Sequence, residues 1–342
     1  MVKVGFIGCG GISHSHVQRL SLLGEDEAEI QSLCDVKIEN ARKLAVLANR
    51  FRNLVPNPLD EDALYTDYRR LLAEQSLDAV IVCTPHAYHY EHVTAALERG
   101  LHVLVEKPMA LSIPEAEAMK WKADERGLIL AVGYQRHFQP EYVFARQLVK
   151  GGRIGQPHFI LAWLTQDLRR AIGPRSWYLD PKLAGGGQLI CSGTHLTDLV
   201  LWVADAEPLG VKAFIEQEGA DVDMYTSLSA ELSNGALANI SILGDSPETA
   251  VREELRVWCS GGAVSVVDGK AYVQDKGENP VQVLPGNLPR VSPNPDVNFV
   301  RAILGKEECL SSALDGLRAT KLEQMAYANA APMLSRLKPA PG

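Results

Sequence analysis

The 342-residue chain has six cysteines but no C-x-x-C pair. Cys9, Cys34, Cys83, Cys191, Cys259 and Cys309 are scattered along it, so zinc-finger spacing is absent. Several stand in apolar, strand-like runs, where cysteine acts as a small hydrophobe, and a reducing, cytoplasmic setting is the natural expectation. There is no basic block either. Lys+Arg 34 against Asp+Glu 42 gives a formal charge of -8. That excludes the clustered positive face of a nucleic-acid binder and of a protein resting on anionic lipid. No uncharged apolar run approaches the ~20 residues of a membrane helix. The stretch Val2 to Ile12 is apolar but broken by glycine. It has no charged segment beyond Lys3 and no convincing cleavage site, so it does not read as a signal peptide. Internal repeats and low-complexity tracts are missing as well. What is present is ordinary for a globular chain: 46% hydrophobic and 22% charged residues. That composition excludes a disordered, collagen-like or coiled-coil chain, and ~150 residues per domain gives two domains.

The first third alternates two periods. Val2–Ile7, Ile30–Cys34, Asp78–Cys83, His102–Val105 and Ile129–Val132 are short apolar runs that suit buried strands. Helical patterns separate them, at 12–23, 37–50, 65–74, 88–99 and 113–126. Such alternation predicts βαβ units with right-handed crossovers, and so a doubly wound parallel sheet over residues 1–132. After Gly133 the pattern changes. One helix is expected at Glu141–Lys150, a loop at Asp167–Gly187 and a helix at Leu189–Val203. Strand-like runs follow without helices between them, at 211–216, 226–232, 236–243, 254–259, 264–267 and 271–274. Turns such as Ser233-Asn234-Gly235 make a mostly antiparallel open sheet the expectation. Pro285, Pro289, Pro293 and Pro295 mark a long surface connection before a last helix, Leu314–Leu334. The fold class is therefore α/β: a doubly wound, Rossmann-type domain at 1–132 and an α+β domain at 133–342, whose last helix is open to packing back on the first domain.

Gly8-Cys9-Gly10-Gly11-Ile12-Ser13 follows the first strand and opens a helix. It fits G-x-G-x-x-[GA], except that Ser13 takes the last small position. Gly8 allows a tight turn, and Gly10 lets the backbone approach a pyrophosphate seated with Gly11 and Ile12 at the helix N-terminus. Asp35 ends the second strand, where a carboxylate accepts hydrogen bonds from ribose hydroxyls and repels a 2′-phosphate. NAD is therefore expected over NADP, with Lys37 close enough to temper the preference.

Thr84-Pro85-His86-Ala87-Tyr88-His89 follows the Asp78–Cys83 strand, and Glu106-Lys107-Pro108 follows the next. Further on stand Gly133-Tyr134-Gln135-Arg136, the run Gly185-Gly186-Gly187-Gln188-Leu189, then Gly193, His195, Asp198 and Trp202. In these motifs the chain resembles the glucose-fructose oxidoreductase and inositol dehydrogenase (Gfo/Idh/MocA) family. The resemblance spans Val2 to about Ala204. It implies an NAD(H)-dependent oxidoreductase that moves hydride between nicotinamide and a secondary alcohol or ketone of a sugar, inositol or related polyol. It assigns Lys107 and His195 to catalysis. It places Thr84, Pro85, His86, His89, Glu106, Lys107 and Gln135 at the cofactor. It lines the substrate pocket with Lys107, Tyr134, Arg136, Arg175, Trp177, Tyr178, Cys191 and His195. It also implies that the open sheet pairs between subunits, as a homodimer or homotetramer.

Two positions depart from the family pattern. Cys191 stands where an aspartate is usual, four residues before His195, and His86 stands where asparagine is usual. A thiol cannot supply the carboxylate that orients an imidazole, so three alternatives stay open: another acid substitutes, with Asp198 the first candidate; His195 works alone with Lys107; or Lys107 carries the proton transfer. His86, His89 and His92 recur at i, i+3, but no acid or cysteine with ligand spacing stands beside them, and no metal is expected. Two alternatives stay open: a glycosidase that retains NAD and oxidises its sugar transiently, and a non-catalytic NAD-binding regulator.

Overall fold

Short apolar runs, closed by glycine or by polar turns, become the parallel strands β1 (Val2–Ile7), β2 (Ala28–Cys34), β3 (Leu64–Tyr65), β4 (Ala79–Val82), β5 (His102–Val105) and β6 (Leu130–Val132). They lie in the order β3-β2-β1-β4-β5-β6, every neighbouring pair parallel. Helices α1 (Gly11–Leu20), α2 (Ile38–Ala48), α3 (Tyr68–Glu74), α4 (His89–Glu98) and α5 (Ile113–Glu125) connect them. All four residues of β4 are buried, as a strand covered on both faces must be. One core cluster gathers Phe6, Leu33, Leu44 and Ile81; another gathers Val80, Leu97, Val103 and Met119. Strand order reverses between β1 and β4, the switch point at which open α/β sheets bind ligands. The computed structural model describes residues 1–173, 176–247 and 250–331. The chain divides into two units, Met1–Gln139 with Arg290–Thr320, and Pro140–Pro289 with Lys321–Gly342.

The second unit begins with α6 (Pro140–Lys150), β7 (Pro157–Thr165) and two short helices, α7 (Leu168–Ile172) and α8 (Pro181–Ala184). A turn of π-helix, Leu189–Gly193, then runs into α9 (Thr194–Ala204), which is buried along its whole length. Seven strands follow: β8 (Pro208–Glu216), β9 (Tyr225–Leu232), β10 (Leu237–Leu243), β11 (Arg252–Cys259), β12 (Gly262–Val267), β13 (Lys270–Asp275) and β14 (Val281–Gln282). β7 was not expected as a strand, yet it pairs with both β10 and β11 near the middle of the sheet. Its inward residues Ile160, Ala162 and Leu164 are fully buried, but its outward ones are also apolar, so the alternation that announces a strand is missing.

The proline-marked connection also differs from expectation. Asn294 caps α10 (Pro295–Ile303) by accepting the Val297 N–H at 2.9 Å, Pro295 takes a first-turn position, and Val297, Phe299 and Val300 are fully buried. Val132 N–H donates to the Ser311 carbonyl at 3.0 Å, and Ser311 Oγ donates back to the Val132 carbonyl at 2.8 Å. These contacts bring 290–320 into the first unit, which itself runs to Gln139 rather than ending at 132. The last helix, α11 (Ala313–Ala328), stops short of the expected Leu334: Asn329 turns back to cap the Met325 carbonyl at 2.9 Å, and Ala330–Ala331 forms β15. Residues 332–334 of that expectation lie outside the described residues. Among the described residues the second sheet runs β14-β13-β12-β11-β7-β10-β9-β8-β15, antiparallel except at β7–β10 and β8–β15.

Candidate active site

The carboxyl ends of the first unit's parallel strands carry the expected cofactor residues. Gly8 has φ +93°, a conformation that L side chains rarely adopt. Its N–H donates to the Cys34 carbonyl at 2.8 Å, and the next amide, Cys9 N–H, reaches Asp35 Oδ2 at 2.9 Å. Asp35 Oδ1 also accepts from Lys37 N–H (2.8 Å) and Asn40 Nδ2 (3.1 Å). One carboxylate thus joins the glycine turn to the start of α2. A Cβ on Gly10 or Gly11 would meet nothing within 4 Å, and no side chain caps α1. Open backbone and uncapped amides at a helix N-terminus fit a pyrophosphate. Ile12 is half-buried in the first turn of that helix.

Thr84 and Pro85 lie in the turn after β4, partly exposed, with His86 buried beyond them. His89 differs from the expectation of a cofactor contact. It has no exposed surface, and its ring nitrogens lie 2.8 Å from the Pro108 carbonyl and 2.9 Å from the Thr84 carbonyl. Burial outweighs those two acceptors and holds its pKa below the ordinary histidine value. His89 therefore ties the turn after β4 to the turn after β5. Glu106, also expected at the cofactor, is buried; Oε1 faces His16 Nε2 at 3.1 Å and Oε2 accepts Lys107 N–H at 3.2 Å. Lys107 follows half-buried, and its bond to Pro108 is cis. Tyr134, expected at the substrate, is 0% exposed and packed in the core with its ring stacked on His137. Gln135 and Arg136 remain half-buried on the turn just after it.

In the second unit Asp223 shapes the glycine run. It accepts from Gly187 N–H (2.6 Å), Leu189 N–H (2.8 Å) and Tyr327 OH (2.6 Å). His195 is 8% exposed in the first turn of α9, and Asp198, one turn on, is 1% exposed. Cys191 sits in the π-turn among Leu168, Met224 and Tyr178. Trp177 and Tyr178 stack with ring centroids 3.8 Å apart. Arg175 lies outside the described residues.

Family models match a stretch of each unit. Residues 2–134 match the oxidoreductase family with an NAD-binding Rossmann fold, and residues 142–265 match the GFO/IDH/MocA C-terminal domain. The chain belongs to the Gfo/Idh/MocA oxidoreductases. It is 28% identical to the D-xylose 1-dehydrogenase [NADP(+)] of Haloarcula marismortui over 57% of its own length, and the match spans only 59% of that enzyme. It is 28% identical to the UDP-N-acetylglucosamine 3-dehydrogenase of Acidithiobacillus ferrooxidans, over 83% of this chain and 80% of the other. Its fold overlays the aldose-aldose oxidoreductase of Caulobacter crescentus with a TM-score of 0.80, 22% identity and 96% and 97% of the two chains.

Within this Gfo/Idh/MocA chain, sequence reasoning passed over three buried polar residues: His16, Asp223 and Asp296. His16 occupies an apolar helix face, and Asp223 lies in a run that reads as a loop. Asp296 had a usable signal, because Asn294-Pro295-Asp296 has the order of a helix start.

Proposed function

We propose that this protein is an NAD(H)-dependent dehydrogenase acting on a secondary alcohol or ketone of a sugar or polyol. The observation that carries the reading is the convergence of the Gly8–Gly11 turn, Asp35, Thr84 and Lys107 on the carboxyl ends of one parallel sheet. Gly10, Gly11 and the uncapped α1 N-terminus take the pyrophosphate, and Asp35 takes the adenine-side ribose. A 2′-phosphate beside that carboxylate is repelled, which favours NAD over NADP. Bound there, the nicotinamide supplies the hydride acceptor or donor.

The chain's own groups do the rest. The Lys107 ammonium hydrogen-bonds the reacting oxygen from the end of β5. His195 takes the alcohol proton as carbon is oxidised, a task suited to a reference pKa of ~6.5. Arg136 and Trp177 hold the polyol by forked donors and an aromatic face. The setting is cytoplasmic, in keeping with six free cysteines, four of them buried. A second copy pairs on the outward face of the nine-stranded sheet, where Leu237, Phe159 and Trp258 stand in one cross-strand row and are each at least 40% exposed.

The test is a screen of sugars, inositols and their phosphates with NAD and NADP, following reduced-cofactor absorbance, on wild type and Lys107→Met. Turnover with NAD should fall about 10²–10⁴-fold in the variant, with NADH affinity kept. Turnover within a few-fold of wild type removes Lys107 from the chemistry.

A further inference from the structure

Beneath the cofactor turn, a buried line of charge joins three distant segments of the first unit. His16, on α1, has no exposed surface. Its Nδ1 lies 2.5 Å from Asp296 Oδ1 on α10, and its Nε2 lies 3.1 Å from Glu106 Oε1 at the end of β5. Glu106 Oε2 accepts the Lys107 N–H. Asp296 Oδ2 faces Arg19 Nη1 at 3.6 Å, longer than a hydrogen bond. The Cys83 thiol, just past β4, also neighbours the ring.

Both ring nitrogens face carboxylates, and a carboxylate only accepts. The protonation state that satisfies both sides is the imidazolium, with an N–H on each nitrogen. His16 and Arg19 then balance Asp296 and Glu106. The electrostatics agree: burial pushes the His16 pKa down, but Asp296 overrides it and raises it well above the ordinary value. Burial likewise pushes Glu106 up, and His16 and Lys107 bring it down to about 2.

A buried ion pair is weak evidence of stabilisation, since a well-packed apolar trio would serve the core equally well. What this one does that an apolar trio cannot is hold a carboxylate on the Lys107 amide. We infer that His16 is a positioning residue: gripped by Asp296, it turns Glu106 onto the backbone of Lys107 and fixes the turn from which the lysine side chain departs. The inference rests on the role given to Lys107 above. It also gives α10 a task, since that helix carries the residue that anchors His16.

The test has two arms. In cofactor-free protein with 15N-labelled histidine, the His16 ring should show the imidazolium signature at pH 8.5 and lose it in Asp296→Asn. A neutral ring in wild type at that pH overturns the inference whatever the enzyme's activity. In the kinetic arm, His16→Gln keeps a donor towards Glu106, and His16→Leu keeps none. Below the melting temperature of each variant, kcat should fall about 10–100-fold in His16→Leu and clearly less in His16→Gln, with NADH Kd and sugar KM within about 3-fold of wild type. Asp296→Asn, which retains shape, should give an intermediate loss. A lower Tm with unchanged kcat in all three variants means that the network is structural only and overturns the inference. If Lys107→Met keeps its turnover, the functional reading fails instead, while the ring signature still reports on His16.

Discussion

Gly8 and Cys83 meet through their backbones: a Cβ on Gly8 would lie 2.6 Å from the Cys83 carbonyl carbon. The glycine turn is pressed against the end of the neighbouring strand, and φ +93° adds strain for any other residue. Gly8→Ala should therefore destabilise the first unit by about 2–4 kcal/mol, from left-handed strain and overpacking together. Gly10→Ala is the control, because its Cβ would meet open space. It should melt near wild type yet bind NADH at least about 10-fold more weakly, since the added methyl occupies the approach to the pyrophosphate. Thermal melts and calorimetric titration with NADH check both. Unchanged NADH affinity in Gly10→Ala would defeat the placement of the pyrophosphate.

Asp35 has two tasks, and one substitution should expose both. Its carboxylate accepts from Cys9 N–H and Lys37 N–H, so Asp35→Ala should cost about 1 kcal/mol of stability. Wild type should bind NADH more tightly than NADPH, and Asp35→Ala should narrow that gap mainly by weakening NADH. Calorimetric titration of both cofactors decides the matter, and equal affinities in wild type would sink the preference.

The parallel sheet was legible in the sequence because its strands are buried on both faces and separated by helices, and the glycine turn because it sits between such a strand and a helix. β7 was not legible, since Phe159, Leu161 and Trp163 put apolar side chains on its outward face. α10 was hidden by its prolines, although Pro295 starts the helix instead of preventing it. Among the candidate site residues, Lys107 and His195 were visible as motif positions. His89 and Glu106 were visible too, but their partners, two backbone carbonyls and a histidine 90 residues away, are products of folding. No local pattern announces that a side chain will be used up in this way.

His92 should make the first unit sensitive to acid. It is 9% exposed, bonded through Nδ1 to Thr84 Oγ1 at 3.0 Å and set edge-on to Tyr68, and burial lowers its pKa to about 4. The unfolded chain takes up the proton near pH 6.5, the folded one only near 4, so stability is present above 6.5 and is lost as pH falls through that window. The loss approaches about 3 kcal/mol at its acid end. His89, also depressed, adds to it. His16 is raised, so its contribution stays in place throughout this range and is lost only at high pH. In His92→Asn, which keeps a partner for Thr84 and does not titrate, the fall of Tm between pH 6.5 and 4 should be shallower. Superimposable profiles would show that His92 is not held neutral.

Cys191 is one of the two positions at which the sequence departs from the pattern it resembles, and its surroundings set what an aspartate placed there would do. The thiol packs with Leu168 and Met224, so Cys191→Asp inserts a carboxylate into an apolar cluster, at a cost of about 1–3 kcal/mol. Position 191 also lies one turn before His195 on a continuous helical path, the π-turn running directly into α9. A carboxylate one turn away favours the imidazolium. In folded Cys191→Asp, the limb of log(kcat/KM) against pH that reports His195 should move up by about 1 unit. Cys191→Ser should leave it unmoved, because a hydroxyl carries no charge near neutral pH. His195→Ala identifies the limb and should remove it along with most of the activity. If His195→Ala keeps both, Lys107 moves the proton alone. If His195 is essential but the limb stays put in Cys191→Asp, position 191 does not face the imidazole. Asp198, buried one turn further along the same helix, is then the acid to replace next, and Asp198→Asn should lower the same limb.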